Sequence, residues 1–148
     1  MVVGLKDEAA TAALGARIAR GLRAGDAILL SGDLGAGKTV LARAILRARG
    51  IAEYVPSPTF TLVQAYETPG LTLHHFDLYR IERANELNEL GLDEACEDGA
   101  ILVEWPERAP GGFPDDALKV QLRVTGEHGR EAQISGPGRW RDMLTDAR

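Results

Sequence analysis

Most of the devices that staple a small protein, anchor it in a membrane or draw it to nucleic acid are missing from this sequence. A single cysteine, Cys96, leaves no partner for an internal disulfide, which fits a reducing compartment. No apolar run comes near the roughly 18 residues needed to cross a bilayer. The opening Met1-Val-Val-Gly-Leu-Lys-Asp-Glu8 turns acidic where a signal peptide would become apolar, so a cytoplasmic location is expected, with no membrane association. Positive charge is not in excess either. The net charge is −5 and acids dilute the arginines almost everywhere, so a basic face to grip a phosphate backbone is not expected. Nucleic-acid binding by the chain on its own is therefore not expected, and contact through a partner protein stays open. Internal repeats, low-complexity segments and long polar tails are also lacking. With 45% apolar and 26% charged residues in a chain of 148, what remains is one folded domain, expected to span residues 1–148.

The pattern along the chain mixes helices and strands. Asp7 to Leu22 reads as a helix capped by Asp7, with Ala10, Leu14, Ile18 and Leu22 on one stripe. After the Gly25-Asp26 turn, Ala27-Ile-Leu-Leu30 reads as a strand buried on both faces of a parallel sheet. A Gly-rich turn leads into a second amphipathic helix, marked by Val40-Leu41, Ala44-Ile45 and Ala48 and stopped by Gly50. Strands are expected at Phe60 to Glu67 and Leu71 to Phe76, joined across Thr68-Pro-Gly70. A helix follows from about Arg83 to Leu90, then an apolar strand at Ala100-Ile-Leu-Val103. Leu118, Val120, Leu122 and Val124 alternate with polar residues, a strand with one wet face that pairs with Arg130 to Ser135. A short helix after Pro137 closes the chain. This mixture points to a three-layer α/β fold with the strand–loop–helix unit at its centre and antiparallel pieces at the edge.

The chemistry lies first in Gly32-Asp-Leu-Gly-Ala-Gly37-Lys38-Thr39, which matches G-x-x-x-x-G-K-[ST] at every position. Backbone N–H groups must converge on phosphate oxygens there, and glycine permits both the dihedrals and the close approach. The helix that begins near Gly37 adds the positive end of its dipole. Lys38 supplies a point charge for the β- and γ-phosphates, and the Thr39 hydroxyl a Mg²⁺ ligand. A chance match is expected in roughly 0.5% of chains this long. The strand before the loop and the helix after it make chance weaker still. The expected ligand is a nucleoside triphosphate with Mg²⁺.

Hydrolysis also needs a carboxylate at the end of a neighbouring strand, to hold Mg²⁺ or its water. Glu104, after Ala100-Ile-Leu-Val103, and Asp77, after Leu71-Thr-Leu-His-His-Phe76, both fit. Ser57-Pro-Thr-Phe-Thr61 is either a plain turn or a switch-like segment with hydroxyls for the γ-phosphate or metal. His74 and His75 point to opposite faces of a strand, and neither is read as a metal ligand. Cys96 reads as a small buried apolar residue, and Trp105 as either core or a wall of the nucleotide site.

Taken in order, the loop at Gly32–Thr39, Ser57-Pro-Thr-Phe-Thr-Leu62, His75-Phe-Asp-Leu-Tyr-Arg80, Glu86-Leu to Gly91-Leu-Asp-Glu94 and Leu102-Val-Glu-Trp-Pro106 resemble the TsaE family from about Asp7 to Pro106. These are small bacterial ATPases of tRNA threonylcarbamoyladenosine biosynthesis. The resemblance implies an α/β, three-layer P-loop NTPase-like fold, with a mainly parallel central sheet and antiparallel edge strands. It implies ATP/ADP and Mg²⁺ as ligands and TsaB and TsaD as partners, with tRNA reached indirectly. ATP binding and hydrolysis would support multiple turnover of the partner complex, not the transfer chemistry itself. By position, Thr39 and Glu104 would hold Mg²⁺. Asp77 would position or activate the attacking water and stand with them near the metal. Thr59 and Thr61 would belong to the switch-like loop, and Trp105 would neighbour the site. Nucleotide contacts would come from Gly32, Asp33, Leu34, Gly35, Ala36, Gly37, Lys38, Thr39 and Val40, the last standing where the family often has a second threonine. Glu8 and the Gly129-Arg130 turn would border the nucleotide pocket. After Pro110 the match is one of pattern, not motif.

Two other classes share the loop. A small-molecule kinase would need an Arg-bearing lid, and only Arg80, Arg83 and Arg108 lie between Tyr79 and Arg108, not grouped as one. A nucleotide-gated binding module that does not hydrolyse shares every motif with the ATPase, and only measured turnover separates the two.

Overall fold

The computed structural model describes residues 1–52, 55–56, 58, 62–83 and 86–146, apart from the side chains at 87, 88 and 146. The chain runs β1 (Val2–Leu5), α1 (Glu8–Gly21), β2 (Ala27–Ser31), α2 (Lys38–Ala48), β3 (Val63–Thr68), β4 (Leu71–Asp77), α3 (Glu86–Leu90), α4 (Leu92–Asp98), β5 (Ala100–Glu104), β6 (Leu118–Val124), β7 (Arg130–Ser135) and α5 (Gly138–Asp146). A single 3₁₀ turn at Pro106–Arg108 follows β5.

The strands form one sheet in the order β1-β7-β6-β2-β5-β4-β3. Its centre is parallel, with β2 beside β5 and β6 and β4 beside β5. Both edges are antiparallel, β6–β7–β1 on one side and the β4–β3 hairpin on the other. This is the expected arrangement.

Successive strand residues face opposite sides of the sheet, and the apolar runs fill two layers accordingly. Ile28 and Leu30 of β2, with Ala100 and Leu102 of β5, pack beneath Leu14, Ile18, Leu41 and Ile45 of α1 and α2 and Trp140 of α5. Ala27, Leu29, Ile101 and Val103 pack on the other side with Leu92, Ala95 and Cys96 of α4. Ala27–Leu30 of β2 and Ala100–Val103 of β5 are therefore apolar without interruption, as strands covered on both faces are.

Local signals set the helix ends. The Asp7 side chain accepts from the Ala10 N–H at 2.9 Å, capping α1 as expected. At the end of α2, Ile51 N–H donates to Leu46 O and Gly50 N–H to Arg47 O, with Gly50 at φ +102. That is a Schellman closure, and it needs glycine. Where α1 crosses α2, a Cβ at Gly15 would lie 2.6 Å from Ala44 Cβ, so the helices approach closely only because Gly15 has none.

The differences from expectation are local. β3 is described from Val63, and residues 60 and 61, where the strand was expected to start, lie outside those described. The helix expected from Arg83 is described only from Glu86. β1 and α4 were not anticipated. β1 has four residues with only Leu5 buried, and α4 is two turns restarted by Gly91 at φ +69.

Candidate functional site

The carboxyl ends of β2, β4 and β5 meet at one edge of the sheet, where open α/β sheets place their ligand crevices. From β2 the chain enters the loop 32–37, with Gly32, Gly35 and Gly37 at φ +139, +80 and +104. A Cβ at Gly32 would stand 2.5 Å from the Leu122 carbonyl oxygen of β6, so only glycine fits there. Gly37 starts α2 without any side-chain cap. No side chain caps the first N–H groups of α2, and donors left open in this way at a helix start suit a phosphate group.

Lys38 follows at once and is 5% exposed. Its ammonium donates to the Gly32 and Asp33 carbonyls at 2.6 and 2.9 Å and sits 4.2 Å from the centroid of the Trp105 ring. Burial lowers the Lys38 pKa from 10.5, and the carboxylates of Glu104, Glu107, Asp77 and Asp33 oppose that shift. The loop thus holds a desolvated cation against its own carbonyls, a charge that an anionic oxygen can satisfy better.

Parity along the strands supplies the acids. On β5, Ala100, Leu102 and Glu104 share the face that α2 covers, and on β4 Leu73, His75 and Asp77 do the same. Asp77 and Glu104 are register partners. Both are nearly enclosed, at 4% and 2% exposure. The Thr39 hydroxyl of α2 donates to Glu104 Oε1 at 2.7 Å, and His75 Nε2 lies 2.6 Å from Glu104 Oε2. Asp77 Oδ1 accepts the Tyr79 N–H at 3.0 Å. Trp105, just past β5, adopts φ +60 and turns its ring over Lys38. Tyr79 packs on it at 4.9 Å, and the Arg108 guanidinium lies 5.4 Å from the Tyr79 ring.

These residues line a cleft of about 370 Å³ that gathers Leu34, Gly35, Gly37, Lys38, Thr39, Val40, Asp77, Glu104, Trp105 and Arg130. Glu8 and Ala36 line a neighbouring cavity of about 320 Å³, which shares Gly37, Val40 and Arg130 with the first. Gly32 and Asp33 turn their carbonyls to Lys38 and border neither. Gly129 offers its carbonyl to Arg130 Nη1 at 2.8 Å, while Nη2 reaches Gly35 O at 3.2 Å, tying the β6–β7 turn to the loop. Thr59 and Thr61 lie outside the described residues.

The donor set suits a hard cation. Thr39, Glu104 and Asp77 offer oxygen only, the preference of Mg²⁺. Among the described residues no three His, Cys, Asp or Glu side chains cluster as a metal cage. Mg²⁺ at phosphate sites is commonly held by one or two carboxylates together with water and phosphate oxygens.

A family model, described as threonylcarbamoyl adenosine biosynthesis protein TsaE, matches residues 5–132. The chain belongs to the TsaE family. It is 39% identical over 131 residues to the tRNA threonylcarbamoyladenosine biosynthesis protein TsaE of Rickettsia felis, covering 88% of this chain and 77% of that one. The Bacillus subtilis TsaE is 37% identical over 123 residues, 82% of this chain and 77% of its own. For the Streptomyces coelicolor TsaE the values are 38% over 135 residues, 86% and 91%. The fold is similar to the crystal structure of Bacillus subtilis YdiB, with a TM-score of 0.81, 28% identity and 99% and 93% of the two chains covered. The fold is thus P-loop NTPase-like, as expected of a TsaE protein.

Two side chains of the site were given no role there from the sequence, Tyr79 quoted only within a motif and His75 weighed as a metal ligand and set aside. Tyr79 sits just past β4 with no pattern to mark it. His75 had a usable signal. It stands two residues before Asp77 on the same strand, and period-2 parity puts both on one face.

Proposed function

We propose that this chain is the ATP-binding and hydrolysing subunit of the tRNA N6-threonylcarbamoyladenosine modification machinery. It works in the cytoplasm with TsaB and TsaD, reaches tRNA through them, and sustains their multiple turnover. Membership of the TsaE family supports the pathway. The observation that carries the chemistry is the 2.7 Å contact between Thr39 and Glu104, in the cleft that Lys38 and Asp77 also line.

In this account the loop N–H groups and the start of α2 bind the phosphates, and Lys38 exchanges its carbonyl partners for phosphate oxygens. A bound Mg²⁺ would neutralise charge on the β- and γ-phosphates. Thr39 and Glu104 would hold it. Asp77, enclosed and fixed by the Tyr79 N–H, orients a water and takes its proton. Trp105 and Tyr79 pack on each other and wall the cleft. The cavity lined by Glu8 and Arg130, which shares Gly37 and Val40 with the phosphate cleft, receives the nucleoside.

The test is reconstitution of tRNA modification over many cycles with TsaB, TsaD, ATP, threonine, bicarbonate and tRNA. Modification should stall near a single turnover when this chain is left out. Multiple turnover without it would remove the pathway assignment, and ADP formation that depended on a small acceptor would point to a kinase instead.

A further inference from the structure

We propose that His75 is a positioning residue for Glu104, fixing one carboxylate oxygen so that the other stays aimed at Thr39. The proposal rests on the reading of Thr39 and Glu104 as the metal-holding pair.

Glu104 is bound at both oxygens, Oε1 by the Thr39 hydroxyl at 2.7 Å and Oε2 by His75 Nε2 at 2.6 Å. A carboxylate on a side chain with three rotatable bonds would otherwise sample several orientations. With Oε2 anchored, the plane of the group and the direction of Oε1 are set. The anchor is itself immobile. His75 is 0% exposed and lies within the hydrogen-bonded run where β4 is flanked by β3 and β5, pairing with Gln64 and Leu102. Its other ring nitrogen, Nδ1, has no hydrogen-bond partner among the described residues. Glu104 is thus the polar group that accounts for a histidine in an otherwise apolar layer formed by Leu73, Leu102 and Ala100. Neighbours that orient a ligating carboxylate commonly change metal affinity about 10–100-fold when removed.

The experiment measures ADP binding by calorimetry across a series of free Mg²⁺ concentrations, for wild type, His75→Phe and His75→Gln. Phenylalanine keeps the ring volume and loses the donor, whereas the glutamine amide can place a donor near the position of Nε2. For His75→Phe, the Mg²⁺ concentration giving half of the metal's effect on ADP affinity should rise at least about 10-fold. Its ADP affinity without Mg²⁺ should stay within about twofold of wild type, because the phosphate loop is untouched. His75→Gln should recover most of the Mg²⁺ response. If His75→Phe does not fold, His75→Asn, whose amide is too short to reach Glu104, replaces it. An unchanged Mg²⁺ half-point in the donor-lacking variant overturns the proposal. So does an equal loss of ADP affinity with and without Mg²⁺, which would mark a purely structural histidine. Wild-type ADP binding indifferent to Mg²⁺ would instead overturn the underlying reading of the site, and the role of His75 with it.

Discussion

Asp77 and Glu104 stand opposite each other as register partners at the ends of the parallel strands β4 and β5, both almost enclosed. Their surroundings differ. Glu104 is bound at both oxygens by Thr39 and His75, whereas Asp77 accepts the Tyr79 N–H and faces the same cleft. Adjacent carboxylates with unlike partners can take unlike roles, one holding charge in place and the other moving a proton.

Asp77→Asn should therefore separate binding from turnover. The amide keeps the shape and can still accept from Tyr79, but it is no base. ATP affinity should change by less than about threefold while hydrolysis falls by about 10²–10⁴-fold. Single-turnover hydrolysis alongside equilibrium binding checks both quantities.

Lys38→Ala removes the buried ammonium between the loop carbonyls and Trp105. A charge-assisted contact of this kind contributes on the order of 3 kcal/mol or more to phosphate binding. Nucleotide affinity should fall by about 10²-fold or beyond, read by calorimetry. Thermal unfolding of the variant should stay cooperative.

Gly32→Ala tests the loop itself. The methyl group would meet the Leu122 carbonyl at 2.5 Å, and φ +139 is strained for any other L-residue. A loss of about 1–3 kcal/mol in unfolding free energy is expected, with weaker ADP binding because the loop must shift off β6. Denaturant unfolding and an ADP titration report the two effects.

Cys96 gives a pH signature. Burial raises its thiol pKa above 9.0, with smaller contributions from Asp26, Asp116, Asp93 and Glu97, and its Sγ–H points at the Gly25 carbonyl. The folded thiol keeps its proton longer than the unfolded one. Its contribution to stability is thus complete below 9.0 and is lost as pH rises through the folded value. Thermal unfolding across this alkaline range should decline more steeply for wild type than for Cys96→Ala.

Much of this was legible before the structure. The phosphate loop, the Asp7 cap, the Gly50 stop and the doubly buried strands at Ala27 and Ala100 announce themselves because each is dictated locally, by dihedral freedom, capping or apolar runs. Asp77 and Glu104 followed from their places at strand ends. β1 was not legible, since four residues with one buried side chain gain their order from pairing with β7, far away in sequence. His75 was weighed only as a metal ligand, because its partner is a carboxylate 29 residues on and only the β4–β5 register brings the two within 2.6 Å.

The central claim, that Glu104 with Thr39 forms the metal end of a hydrolytic site, is tested most directly by phosphate release from ATP and Mg²⁺ in the presence of TsaB and TsaD. Wild type should release phosphate steadily, and Glu104→Gln should lose at least about 100-fold in rate while still binding ADP. Glu104→Gln turning over at the wild-type rate, or a wild-type protein that releases no phosphate with both partners present, would contradict the account.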